Sequence, residues 1–395
     1  MKALDIASLR AETPGCAVSA FFNHSGASLP STSTLAAITN HLERESRYGA
    51  MEAAAAAAEA LSSVRTSAAT LINAEADDVA FTSSASAALG LVFAALPPLR
   101  AGDRILVSRQ EWGGNVSTYW AAAARAGATV EVIPARADGS VDPVALANMI
   151  DSKVRLVSLT WVPANGGLVN DANAVGAVTR SAGVPLFIDA GQVLGQMPVD
   201  VKALQCDVLK GTCRKFLRGP RGTALLYVRR EFVRTLRPAF LDVDSGPWQD
   251  GAPRSRENAR VFETVEMSVA LLLGAGVALD QARSIGVDNI QARVMALAES
   301  LRQRLREIEG VQLYDLGKRC CGLVSFAIDG VSMPEVRKRL AAESIVVGGN
   351  GVAYTPFDMA ARNLKEIVRA SISYLNTDEE IERLVRAVAG SAKGN

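Results

Sequence analysis

Seven short apolar runs punctuate residues 79–228: Val79–Phe81, Ile105–Val107, Thr129–Ile133, Leu156–Leu159, Leu186–Ile188, Val208–Leu209 and Ala224–Val228. Runs of this length, rich in Val, Ile and Leu, suit strands buried on both faces, and therefore a mostly parallel sheet. The intervening segments Val116–Ala126 and Ala172–Ala182 are long enough for crossover helices. This pattern predicts an α/β domain whose ligands sit at the carboxyl ends of the strands.

The chain exceeds one ordinary domain, with 395 residues of which 49% are hydrophobic. Before the strands, the Ala-rich stretch Met51–Ile72 reads as a buried helix, with Leu61, Val64 and Leu71 at helical spacing. After them, Phe240–Arg254 is rich in Pro, Gly and Asp and reads as a loop. Two long helical patterns follow, Val265–Ile285 and Val287–Glu309. The remainder alternates strand and helix: Val311–Tyr314, Gly322–Ile328, Pro334–Glu343, Ile345–Val347, Ile367–Ser371 and Thr377–Val388. Thr377-Asp378-Glu379-Glu380 opens the last helix as a capping box. The expected division is an N-terminal arm (1–30), a large domain (31–265), and linking helices with a smaller α+β C-terminal domain (266–395).

Several partner classes find no support. Basic and acidic residues number 42 and 41, a net charge of +1, which gives no electrostatic reason for nucleic acid or an anionic membrane as partner. The pair Arg229 and Arg230 reads as a solvated strand end. No apolar run has bilayer-spanning length, and Met1-Lys2-Ala3-Leu4-Asp5 lacks a signal-peptide stretch, so a cytoplasmic protein is expected. Cys16, Cys206, Cys213, Cys320 and Cys321 show no C-x-x-C spacing and are expected as free thiols. His24 and His41 are the two histidines, too few for a His/Cys zinc cluster, and no metal site is expected.

Four features stand at the ends of the predicted strands. Asp189 closes the run Pro185–Ile188, where a buried carboxylate demands a cation unless it is an ordinary helix cap or loop residue. Lys215 follows the run Val208–Leu209 and precedes a Gly-rich turn; beside Arg214 and out of water its amine would be a nucleophile, although a basic surface loop looks the same. Lys210 is its nearest competitor and lies closer to the strand. Thr82-Ser83-Ser84-Ala85-Ser86 joins a strand to an apolar helix, which suits phosphate or a plain Ser N-cap. Trp112, beside Gly113 and Gly114, is either a flat lid for a ring or a core residue. An amine, an anion, a phosphate cradle and a flat group are what pyridoxal 5′-phosphate requires.

The order and spacing of these pieces resemble the class V aminotransferase family, which includes the cysteine desulfurases, isopenicillin N epimerase and cysteine-type C–S lyases. The resemblance covers nearly the whole chain. It implies the fold-type I architecture, a large domain with a mostly parallel seven-stranded sheet plus the smaller α+β domain. It further implies that Ser84, Ala85 and Ser86 hold the phosphate and that Asp189 pairs with the pyridine nitrogen. Gln192 would hydrogen-bond the phenolic oxygen, and Thr212 would contact the phosphate. Arg214 would stand where the family often has His, Lys215 would carry the cofactor as a Schiff base, and Trp112 would cover the ring. Arg369, in Val368-Arg369-Ala370-Ser371, would bind the substrate α-carboxylate, and the site would lie at the interface of a homodimer.

Two departures narrow the reading. Desulfurases carry a nucleophilic Cys on a C-terminal loop, whereas Val347–Tyr354 has none and Cys320 and Cys321 lie well before it. In Trp161-Val162-Pro163-Ala164-Asn165 the residue matching a cofactor-touching Asn is Ala164, with Asn165 one place on as the candidate contact. The fragments 166–170 and 214–222 look most like the epimerase and sulfoxide-lyase branch, to which the ergothioneine-pathway C–S lyase belongs. With so few histidines, Lys215 is the expected base and acid; His24 is either a substrate contact from the arm or a turn residue. Arg44, Arg47, Tyr48 and Arg221 are candidate pocket residues. β-Elimination on a cysteine-derived amino acid is favoured by branch and by the missing Cys. Transamination and epimerisation remain open, as does a non-catalytic binding protein.

Overall fold

The computed structural model describes residues 4–393. The first three residues of the expected arm, which belong to the Met1–Asp5 reading, and the last two of the expected C-terminal domain lie outside them. In chain order the strands are β1 (Ala20–Phe22), β2 (Val79–Thr82), β3 (Arg104–Val107), β4 (Thr129–Val132), β5 (Val154–Thr160), β6 (Leu186–Asp189), β7 (Val208–Thr212), β8 (Ala224–Val228), β9 (Trp248–Gln249), β10 (Ala252–Pro253), β11 (Val311–Leu313), β12 (Leu323–Ile328), β13 (Ile345–Gly351) and β14 (Glu366–Ser371).

The seven apolar runs form one sheet, ordered β2-β8-β7-β6-β5-β3-β4. The pairs β3/β4, β3/β5, β5/β6 and β6/β7 are parallel, while β8 runs antiparallel to both β7 and β2. Alternate residues face opposite layers. Ile105, Val107, Leu156 and Phe187 pack with Leu89 and Tyr119 of the helices Ala85–Ala94 and Gly113–Ala126. Leu106, Val157, Ile188 and Leu209 pack with Val64, Val175 and Leu279 of the helices Ala58–Ile72, Ala172–Ala182 and Val269–Ile285. Burial on both faces is why these runs read as continuous apolar stretches. After β3 the chain steps outward to β4 and then returns to the far side of β3, which creates a crevice at the carboxyl ends of β3 and β5.

A second sheet, β1-β13-β14-β12-β11, has its own core of Phe22, Val324, Phe326, Val347 and Val368 under the helices Val287–Arg306, Met333–Ala342 and Asp378–Lys393. Strand β1, from the segment expected as an arm, pairs parallel with β13. The capping box forms reciprocally: Glu380 N donates to Thr377 Oγ1 and Thr377 N to Glu380 Oε2, each at 3.3 Å. Among the described residues no single helix is long and apolar enough to cross a membrane, and no group of three or more His, Cys, Asp or Glu is placed to hold a metal ion.

Three expectations change. Met51–Ile72 is two helices, Ala50–Ala56 and Ala58–Ile72, broken at Ala57 and with Met51 76% exposed. Alanine is small enough for either face, so its run does not mark which side turns inward. Phe240–Arg254 contains the short antiparallel pair β9/β10. Arg229 and Arg230 are not simply solvated: Arg229 reaches Asp207 at 2.7 Å and Arg230 reaches Asp78 at 2.9 Å.

One buried cation ties the linking helix to the second sheet. Arg302 donates to Asp315 Oδ2 at 2.7 Å and to the carbonyls of Cys321 and Leu323 at 2.8 and 2.6 Å. Breaking a buried pair strands the other charge, so Arg302→Met should lower unfolding free energy by about 3–5 kcal/mol. Urea denaturation followed by circular dichroism checks this; a midpoint equal to wild type contradicts it.

Candidate active site

A cavity of about 280 Å³ opens at the carboxyl ends of the central strands. Its lining includes Ser83, Ser84, Ala85 and Ser86 at the start of the helix Ala85–Ala94, together with Thr212 and Thr223. Ser84 Oγ accepts the Ala87 N–H at 3.1 Å, so it is the N-cap of the helix Ala85–Ala94, and the cap and the cradle are one feature. Trp112, Thr160, Asp189, Gln192, Lys210, Arg214 and Lys215 line the rest, together with Ala164, Arg221 and Gly222.

Lys215 Nζ lies 5.8 Å from the centre of the Trp112 ring. Burial lowers its pKa to about 7; Asp189 opposes the shift, and Arg214, Arg369 and Lys210 add to it. At neutral pH this amine is therefore substantially uncharged. Gly191 closes the corner between amine and carboxylate: a Cβ there would meet Asp189 Oδ1 at 2.9 Å and Lys215 Nζ at 3.6 Å. Trp112 is held at 5.5 Å from the Tyr354 ring, and Gly113 makes that approach possible because a Cβ would collide with the Ala353 carbonyl.

Asp189 ends β6. Its Oδ2 accepts from Lys210 at 2.6 Å and Asn115 Nδ2 at 3.1 Å, and its Oδ1 accepts from Gly191 N at 2.8 Å. Burial pushes this carboxyl up, but Lys210 and Lys215 more than offset that and leave it below the usual range. Arg369, on β14, donates to the Ala164 carbonyl at 2.6 Å, while its Nε is buried with no partner. Burial lowers its pKa to about 10, which Tyr354 opposes. Among the described residues none of Arg214, Arg221 and Arg369 has a carboxylate partner. Gln192 donates to the Ser25 carbonyl at 3.3 Å, and its Oε1 is buried without a partner.

Three expected site residues are absent from the cavity lining: Arg369, which touches it only through the Ala164 carbonyl, Asn165 and His24. Asn165 does not line the cavity; its amide is taken by Asp358 Oδ2 at 2.5 Å, because the chain turns it toward the C-terminal domain and leaves Ala164 facing the cleft. His24 is also off the lining. Its Nε2 donates to the Phe21 carbonyl at 3.0 Å and its Nδ1 accepts from Ser28 at 2.6 Å, so both ring nitrogens are used within the turn. Burial lowers its pKa to about 3, which keeps it neutral and unavailable for holding an anion. Arg44, Arg47 and Tyr48 sit on the exposed helix Thr32–Tyr48 and do not reach the cleft, whereas Arg221 does. Sequence reasoning missed the roles of Lys210, Asn115, Glu111 and Thr160. A charged residue inside an apolar strand, at Lys210, was the available signal.

A near-neutral lysine, a carboxylate at the end of the neighbouring strand, a helix N-terminus ringed by hydroxyls and an indole beside the amine define a pyridoxal-phosphate enzyme of the fold-type I architecture. The partnerless Arg369 Nε and the room kept by Gly191 fit that cofactor and an α-carboxylate. The chain belongs to the class V aminotransferase family, whose model, "Aminotransferase class-V", matches residues 20–384. A probable cysteine desulfurase of Xylella fastidiosa is 31% identical over 84% of this chain and 80% of that protein. The apo structure of a cysteine desulfurase from Thermococcus onnurineus superposes with a TM-score of 0.92 at 23% identity, covering 100% of both chains. A complex of the cystine C–S lyase C-DES with its reaction product cysteine persulfide matches at a TM-score of 0.86 and 24% identity, covering 95% of this chain and 99% of that one.

The depressed Lys215 pKa has a direct kinetic consequence. The uncharged amine is the nucleophile, so capture of pyridoxal phosphate by apoprotein should rise about tenfold per pH unit below 7 and level off above it. Stopped-flow absorbance over pH 5.5–9 (roughly the span needed to bracket the step) checks this; a rate still rising about tenfold per pH unit at the top of that range contradicts it.

Proposed function

We propose that this enzyme catalyses β-elimination on a cysteine-derived amino acid, releasing the sulfur substituent, ammonia and pyruvate, without a thiol nucleophile of its own. Pyridoxal phosphate, when bound, supplies the electron sink that makes the substrate Cα acidic. Lys215 Nζ, poised near neutrality, takes the Cα proton and carries it. Arg369 holds the α-carboxylate through the guanidinium edge that has no protein partner. Asp189 would hold the ring nitrogen, Trp112 would cover the ring, and Ser84, Ala85, Ser86 and Thr212 would hold the phosphate.

The observation that carries this reading is the absence of sulfur from the cleft: none of its lining residues is a cysteine. Cys206, Cys213 and Cys321 are fully buried, and burial pushes their thiols up, to about 11 for Cys213 and about 12 for Cys321. A thiol held protonated is a poor nucleophile. Cys320 hydrogen-bonds the Leu316 and Gly317 carbonyls away from the cleft. These placements support a reaction in which no protein thiol attacks sulfur.

A homodimer is part of the same reading. Leu35, Leu42, Tyr48 and Met51 expose apolar surface along the helices Thr32–Tyr48 and Ala50–Ala56, which a second copy would cover.

Incubation with a panel of cysteine S-conjugates, with coupled detection of pyruvate and ammonia, tests the reaction. Equimolar pyruvate and ammonia are expected. Conversion of the cofactor to its amine form would instead mark a transaminase, inverted Cα an epimerase, and alanine with persulfide a desulfurase. Lys215→Ala should cut kcat by about 10²–10⁴-fold. Arg369→Met should raise KM by about ten- to a hundredfold, the worth of a charged hydrogen-bonded pair.

A further inference from the structure

Lys210 is the second lysine of the site, and no step above uses it. It stands within β7, is 3% exposed, and places Nζ 2.6 Å from Asp189 Oδ2. That oxygen also accepts one hydrogen of the Asn115 amide at 3.1 Å, while the amide's other hydrogen goes to Glu111 Oε1 at 2.7 Å. The amide's orientation is forced, since turning it over would aim a carbonyl at two carboxylates.

Glu111 is fully buried yet well provided with donors. Its Oε1 also accepts from Thr160 Oγ1 at 2.8 Å and Trp112 N at 3.3 Å, and its Oε2 from Ser108 Oγ at 3.2 Å. The Asn115 amide and the Trp112 N–H can only donate and so favour the ionised carboxylate, while burial and the neighbouring Asp189 push its pKa up and Thr160 and Lys210 hold it down. The result is a continuous array, Lys210–Asp189–Asn115–Glu111, running from β7 across β6 to the turn after β3. Asp189 Oδ1 takes a single donor, Gly191 N, and so keeps a lone pair for another.

The charges in this array compete. A lysine in contact with Asp189 cancels much of the field that the carboxylate projects into the cleft, and Arg214 and Arg369 are further cations acting there. Glu111 returns one negative charge through the amide bridge. We propose that Lys210 and Glu111 are opposed positioning residues: acting through Asp189 and Asn115, Lys210 weakens and Glu111 strengthens the hold on the proton at the cofactor's ring nitrogen. The inference rests on the reading that Asp189 faces that nitrogen. A purely structural Lys210, present only to neutralise a buried carboxylate, would leave Glu111 without a matching and opposite effect.

The test uses holoenzyme reconstituted with pyridoxal phosphate labelled with ¹⁵N in the ring, and follows the nitrogen shift against pH. Lys210→Met and Lys210→Gln should raise the midpoint of ring-nitrogen titration by about one to three pH units, and Glu111→Gln should lower it. Asp189→Asn is the control for the underlying reading. If it leaves the midpoint unchanged, Asp189 does not face the nitrogen and the inference falls with it. If it lowers the midpoint while neither lysine variant raises it, the lysine inference alone is overturned. Should the lysine variants not fold, or the wild-type midpoint lie too high to reach, Glu111→Gln decides. A midpoint brought down supports the inference, and one that stays put overturns it.

Discussion

The carboxylate of Asp189 is the constraint around which the cleft is organised. It sits at the end of a strand buried on both faces, where an unpaired charge would not survive. The fold answers with a lysine from β7, an amide from the helix Gly113–Ala126 and a backbone N–H, while leaving one lone pair toward the cavity. The neighbouring strands are fixed by parallel pairing, so the positions of Lys210, Thr160 and Asp189 follow from sheet register: Thr160 pairs with Asp189, and Asp189 with Lys210.

From that anion the electrostatics of the rest follow. Lys215 is drawn toward charge by Asp189 but pushed to neutrality by burial and by three other cations, and the balance near 7 is what makes it a usable amine. Arg214 and Arg221 face the cavity without carboxylate partners, and Arg369 donates to the carbonyl of Ala164, which lines it, a concentration of positive charge that anionic ligands would relieve. A net charge of +1 over the whole chain hides this local excess.

The second sheet contributes to the site as well as to stability. Arg369 of β14 donates to the carbonyl of the cleft-lining Ala164, and Tyr354 meets Trp112 from the segment that follows β13. Asp358 takes Asn165, and Arg302 locks Asp315 against the strands β11 and β12 that flank it. The N-terminal segment is bound into the same unit: Arg218, with φ +65°, donates to Thr13 Oγ1, the Leu29 carbonyl and the Tyr374 hydroxyl. His24 takes part in this bracing, with its two ring nitrogens hydrogen-bonded to Phe21 and Ser28.

The sequence by itself determined the seven strands and placed the candidate groups at their ends, because each depends on short-range information. Apolar runs mark two-sided burial, a serine marks a helix start, and a lysine after a strand precedes a Gly-rich turn. Only the tertiary structure decided which polar groups meet. Asn115, from the helix Gly113–Ala126, and Lys210, from β7, converge on Asp189 at the end of β6, with Glu111 behind the Asn115 amide, and nothing in the local spacing of Asp189 records that convergence. The same holds for Asn165, one residue from a cleft-lining position yet turned away from it. Contacts between distant segments are set by sheet register and domain packing, and those are properties of the assembled fold and of no single stretch of chain.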